Sequence, residues 1–106
     1  MPAREEARAT YVAVARALAL AAASRDDSDV AAAYFLRILQ VDRYDEQANL
    51  GLVGTLADAG RHGEAHRHYL NYRRVMDELG VEPAPFPPGR PGPHSPGPLP
   101  TTFSRP

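Results

Sequence analysis

The uneven distribution of proline sets the strongest limit on what this chain can fold into. The chain has 106 residues and 11 prolines, and apart from Pro2 all of the prolines fall between Pro83 and Pro106. Proline lacks a backbone N–H and fits neither a helix interior nor a central strand. A segment this rich in proline and glycine builds no core, so we expect residues 83–106 to form a disordered tail. The folded domain is then confined to residues 1–82, a length at which one small core is marginal.

Four helical segments are readable before this tail, because apolar side chains recur there at helical spacing. The predicted helices run from about Arg4 to Ser24, from the polar break at 25–29 to Val41, from Glu46 to Ala59, and from Gly63 to Leu79. The boundaries carry capping residues. Asp45 is predicted to cap the third helix. Gly60 and Gly80 suit the left-handed position that ends the third and fourth.

A shift of 34 residues superimposes the second pair of helices on the first. Ala31 falls on Ala65, where two close helices leave space for a methyl group only, and Phe35 falls on Tyr69, where the gap is wider. A period of 34 is typical of tetratricopeptide repeats. The sequence therefore predicts an all-α fold: a tetratricopeptide-like pair of antiparallel helical hairpins forming a short right-handed solenoid.

Composition excludes several classes of function. The chain has no cysteine, which excludes disulfides and thiolate metal sites and fits a reducing cytoplasm. All 12 basic residues are arginine, so no lysine is present for Schiff-base catalysis. No nucleophile-and-base arrangement and no phosphate-binding glycine loop is visible. No apolar run is long enough to span a membrane. We therefore expect a cytoplasmic protein that is not an enzyme and needs no cofactor.

Two clusters in the fourth helix were weighed as ligand sites. His62 and His66 are four residues apart and could share a helix face, but no matching carboxylate completes a metal site. We interpret them as part of a solvated surface and predict no metal. Arginines alternate with Tyr69 and Tyr72 in a pattern partly typical of nucleic-acid binding. Both tyrosines occupy core positions of the repeat, however, and the formal net charge of the chain is −1. Direct nucleic-acid binding is therefore not expected.

The tail contains two P-x-x-P spacings, at residues 85–88 and 93–96. Aromatic grooves recognise such spacings in extended peptides. In so proline-rich a segment the spacing arises by chance, so we interpret the tail as a linker or spacer.

The stretch from Leu50 to Pro85 carries a series of recognisable motifs. It reads A-D-A-G-R at residues 57–61, E-A at 64–65, a tyrosine-to-arginine helix from Tyr69 to Arg74, and E-L-G-V-E-P-A-P at 78–85. This resembles the second half of the bacterial transcriptional activator domain, which occurs in actinobacterial regulators of antibiotic pathways. The resemblance extends over roughly residues 6–85. One departure is Arg43, which stands where that family often has proline.

The resemblance implies a tetratricopeptide-like domain of a transcription regulator that mediates contacts between proteins or within an oligomer. In that family a winged helix-turn-helix precedes the domain. The segment before residue 6 is too short for one, so we do not expect this chain alone to bind DNA.

Two function hypotheses remain open at this point. The first is a protein-interaction or oligomerisation module, with a protein partner or self-association. The alternative is a generic tetratricopeptide adaptor unrelated to transcription. Two repeats should leave an apolar end face uncovered, since solenoids generally need about three for stability. The residues predicted to bind a partner are Tyr11, Val14, Arg67, Tyr72, Arg73, Val75, Met76 and Leu79.

Overall fold

Four α-helices joined by short turns make up the fold, seen in a computed structural model that describes residues 2–88. The helices are α1 (Pro2–Ser24), α2 (Ser28–Val41), α3 (Glu46–Asp58) and α4 (His62–Leu79). The described residues contain no strand. Each helix packs on the next along the chain, α1 on α2, α2 on α3 and α3 on α4. The four predicted helices are confirmed, with boundaries that differ by one or two residues.

The first helix of each half ends with the same backbone hydrogen bond, 34 residues apart. In each case an N–H reaches back to the carbonyl five residues earlier, which is the Schellman arrangement. The two bonds, both 2.9 Å long, run from Asp27 to Ala22 and from Arg61 to Leu56. The residue before each donor has a positive φ, 60° at Asp26 and 81° at Gly60. The period predicted from side chains is therefore also a period of the backbone.

The end of α4 follows the same geometry. Gly80 has a φ of 72°, and the Val81 N–H donates to the carbonyl of Met76 over 3.0 Å. The predicted glycine cap and the return of Val81 onto the last turn are confirmed.

The core lies where small residues let the helices approach. Ala31 and Ala65, paired by the repeat, are both fully buried. Larger side chains fill the wider spaces between the helices, and they are Phe35, Ile38, Leu52, Val53 and Leu56. A second cluster at the end of α4 contains Tyr72, Val75 and Met76.

The segment after α4 differs from the prediction. Residues 81–88 have no regular secondary structure, but they fold back along α4 rather than leaving the domain. The N–H of Ala84 donates to the hydroxyl of Tyr72 over 2.7 Å. Alanine at this position supplies a donor that the neighbouring prolines lack, and this donor ties the segment down. The remainder of the predicted tail, 89–106, lies outside the described residues.

Candidate partner-binding surface

The outer side of α1 carries an exposed apolar stripe. Tyr11, Val14 and Leu18 are 46%, 54% and 43% exposed, and we call these three side chains the open face. Together with Tyr34 and Arg37 of α2 they border a shallow groove of about 180 Å³. The two predicted residues of α1, Tyr11 and Val14, are thus brought together at the surface.

The second half of α1 presents almost no charge to solvent. Between Ala9 and Ser24 its only charged residue is Arg16. Arg16 is held by both carboxylate oxygens of Asp45, at 3.0 and 2.9 Å. A helix that is apolar on all sides is ordinarily buried. None of the helices described between residues 2 and 88 is long and apolar enough to cross a bilayer.

The internal repeat shows what the open face lacks. Val14 corresponds to Ala48, and Leu18 corresponds to Leu52. In α3 these positions are only 0% and 3% exposed, against 54% and 43% in α1. The helix α3 lies between α2 and α4, whereas α1 packs mainly on α2. The open face therefore has the position of a surface that the second repeat buries against a preceding helix.

The other predicted end face is covered by the chain itself. Tyr72, Val75 and Met76 are 0%, 2% and 2% exposed, so three of the predicted partner-binding residues lie in the core. They pack with Ala84 of the segment that follows α4. Leu79, also predicted there, is 48% exposed. The prediction of an uncovered face treated everything after Pro83 as a free tail, and that premise was wrong for residues 83–88.

The predicted arginines lie elsewhere on α4, and both are exposed. Arg67 borders a groove of about 390 Å³ whose apolar floor comes from α2 and α3. Arg73 does not line this groove. The rim is partly neutralised, because Arg61 pairs with Glu64 and lies 3.6 Å from Asp29. The hydrogen bond from Arg61 holds the pKa of Glu64 below its ordinary value.

This groove was not anticipated from the sequence. Its floor consists of Ala32, Leu36, Leu52 and Leu56. Leu36 is 47% exposed and lies outside the predicted apolar stripe of α2. That an apolar residue falls off the stripe was the one available signal, and it did not show which helices would surround it.

The histidines of α4 have separate environments. His66 packs near the Phe86 ring, with centroids 6.5 Å apart, while His62 is exposed. His68 is half-buried, and its Nε2 lies 3.1 Å from Oδ1 of Asn49. Burial lowers the pKa of His68. Within residues 2–88 no three histidine, aspartate or glutamate side chains are grouped so that they could hold a metal ion.

Asn49 is a buried polar residue that sequence reasoning missed. It is 1% exposed, and its Nδ2 donates to the carbonyls of Arg43 and Asp45 at 3.1 and 3.0 Å. Since the amide nitrogen is used in this way, Oδ1 faces His68, whose Nε2 therefore carries the hydrogen. The amide thereby links the α2–α3 turn to α4. A polar residue at the repeat position of buried Ala15 was the sequence signal for such a role.

Comparison with known proteins gives one match. The family model of the bacterial transcriptional activator domain matches residues 1–86. No curated protein and no solved structure matches the chain.

Proposed function

The chain belongs to the bacterial transcriptional activator domain family, and we propose on that premise that it is the protein-interaction or oligomerisation module of a transcription regulator. Its two hairpins then act as a short tetratricopeptide-like array in the cytoplasm, without a catalytic role. The backbone period of 34 residues supports this view of the array. The partner is another protein or a second copy of the chain.

The open face carries this proposal. Its positions are buried in α3 and exposed in α1, although the repeat makes them equivalent. A partner helix that lies on α1 as α2 lies on α3 would remove this apolar surface from water. Each of the three side chains is about half exposed, so its burial would contribute about 1 kcal/mol.

Direct DNA contact is not part of the proposed role. Several arginines are already engaged by carboxylates, as Arg16 is by Asp45 and Arg43 is by Glu78. Tyr72 is buried and Tyr69 donates to the segment after α4, so neither ring is free to stack on a base. Retardation of a DNA duplex by the purified chain at low salt would contradict this part of the proposal.

The proposal is tested by light scattering from micromolar to millimolar protein, with thermal melting on the same samples. Association should be concentration-dependent and should raise the melting temperature. Val14→Glu combined with Leu18→Glu should weaken it at least tenfold, because charges would be buried in the contact.

Leu20→Glu is the matched control. Leu20 is 57% exposed, and it lies nine residues, about two and a half turns, after Tyr11, which places it on the opposite side of α1. If the control weakens association as much as the double variant does, the open face is not the contact. A chain that stays monomeric throughout excludes self-association and leaves a different protein as the proposed partner.

A further inference from the structure

Residue Ala84 is held at both of its backbone polar groups by α4. Its N–H donates to the hydroxyl of Tyr72 over 2.7 Å, and its carbonyl accepts from the hydroxyl of Tyr69 over 2.7 Å. Pro83 and Pro85 on either side have no N–H, so Ala84 carries the only donor among the three residues. The contact reads a backbone donor and acceptor at one defined position.

The hydroxyl of Tyr72 is oriented before any segment reaches it. It donates to Oε2 of Glu46, which leaves its lone pairs to accept from an N–H. The Tyr72 side chain is fully buried, so its position is fixed by the core. A helical ligand would use its N–H groups within its own helix. The site is therefore suited to an extended backbone.

An aromatic anchor lies two residues further on. The Phe86 ring packs against Tyr69, with centroids 5.2 Å apart and planes inclined at 60°. Next to it, Pro87 lies against Gly54 of α3, since a Cβ at Gly54 would be 4.0 Å from the Cβ of Pro87. The segment thus crosses from α4 to α3. Its prolines fix the extended conformation in advance, which lowers the entropy lost on binding.

We propose that this face of α3 and α4 is a binding site for an extended peptide in which a residue with a free N–H stands between two prolines and an aromatic residue follows two positions later. The chain's own residues 83–87 are the resident ligand. The site is separate from the open face and does not depend on it. A peptide from another protein must displace a tethered competitor, whose effective concentration is on the order of millimolar for a short linker.

The test uses the full chain with Phe86→Ala, which removes the anchor of the resident ligand. The probe is a fluorescently labelled peptide of residues 81–88, VEPAPFPP, followed by anisotropy. It should bind the variant at least about tenfold more tightly than the unaltered chain, because the tethered competitor is weakened. The matched control peptide, VEPPPFPP, keeps the prolines and the aromatic residue but lacks the central N–H. Its binding should be about fivefold to tenfold weaker, the loss typical of one hydrogen bond.

Equal binding of the two peptides would overturn the proposal, as would no binding to a Phe86→Ala chain that circular dichroism shows to be folded. A second measurement serves if that variant does not fold. The chain has no tryptophan, so Phe86→Trp places a single reporter in the segment. Excess VEPAPFPP should shift its emission to that of a solvated indole, and VEPPPFPP should not. Emission that is solvated without added peptide, or that moves equally with both peptides, would also overturn the proposal.

Discussion

At the scale of single residues, two glycines of α3 are expected to respond in opposite ways to the same substitution. A Cβ at Gly51 would lie 2.5, 2.6 and 2.9 Å from three atoms of the buried Phe35 ring. Gly51→Ala should therefore destabilise the protein by about 1–3 kcal/mol, because the ring has to move within a packed core. The free energy of unfolding from urea denaturation measures this.

Gly54→Ala is the matched substitution in the same helix. Its nearest neighbour would be Pro87 at 4.0 Å, an ordinary contact. Alanine is the better helix former by about 1 kcal/mol, so this variant should be neutral or more stable than the original chain. If both alanine variants gain stability, the Phe35 ring is not confined as the structure indicates.

His68 should make stability depend on pH. Burial lowers its pKa below the ordinary 6.5, so the unfolded chain takes up a proton more readily than the folded chain. Stability should be full above 6.5 and should fall as the pH drops through 6.5 toward the lower pKa of the folded state. His68→Gln keeps a donor for Asn49 and should flatten the melting temperature between about pH 7 and pH 5. His62→Gln, at an exposed position, should leave the dependence unchanged.

This pair also shows where residue-level prediction from sequence stops. The cluster around His66 was visible, and its lack of a completing carboxylate could be read from spacing. That His68 meets Asn49 could not be read, since the two lie on different helices. Their contact depends on how α3 and α4 pack. Helical periodicity within one segment holds no information about that packing.

At the scale of elements, Asp45 joins the start of α3 to α1. Its carboxylate accepts from the Ala48 N–H over 2.9 Å, the predicted cap, and also from Arg16. Asp45→Asn keeps a capping side chain but loses the charge, whereas Asp45→Ala loses both. We expect losses of about 1 kcal/mol for Asn, from the partly buried ion pair. For Ala we expect about 2 kcal/mol, since the cap adds about 1 more.

Acid titration of the same variants separates the two contributions. The hydrogen bond from Arg16, listed here with that from Ala48, keeps the pKa of Asp45 below its ordinary 3.8. The stabilisation is therefore present above 3.8 and is lost as the pH falls through the lower pKa of the folded state. Asp45→Asn should remove this part of the acid dependence. An unchanged acid limb in chemical denaturation would contradict the ion pair.

The helix ends were the most predictable part of the fold, for a physical reason. Capping chemistry is local, so Asp45, Gly60 and Gly80 could each be assigned from the residue and its neighbours. The partner of Asp45 could not, because Arg16 lies 29 residues earlier in the chain. Its position in an apolar helix marked it only as a charge that needs a partner.

At the scale of the whole molecule, the two ends of the repeat array differ. The end at α1 is open, as the count of two repeats predicted, and it exposes Tyr11 and Val14. The end at α4 is closed by residues 81–88, which the proline content had assigned to a free tail. Composition describes what a segment cannot build alone, but not whether another surface holds it. The contacts of Ala84 depend on hydroxyl groups of α4, so they became visible only in three dimensions.

This asymmetry predicts an order of local stability along the array. α3 packs on helices at both sides, while α1 packs mainly on α2. Local opening requires less energy where fewer apolar contacts are broken. In repeat arrays, moreover, each unit is stabilised chiefly by its neighbours. Hydrogen exchange followed by mass spectrometry should therefore show amides of α1 exchanging at least about tenfold faster than those of α3. Raising the protein concentration should slow α1 first if the open face associates, and Val14→Glu combined with Leu18→Glu should abolish that effect. Uniform exchange across the four helices would mean that the fold opens as one cooperative unit and that the exposed stripe on α1 costs it no local stability.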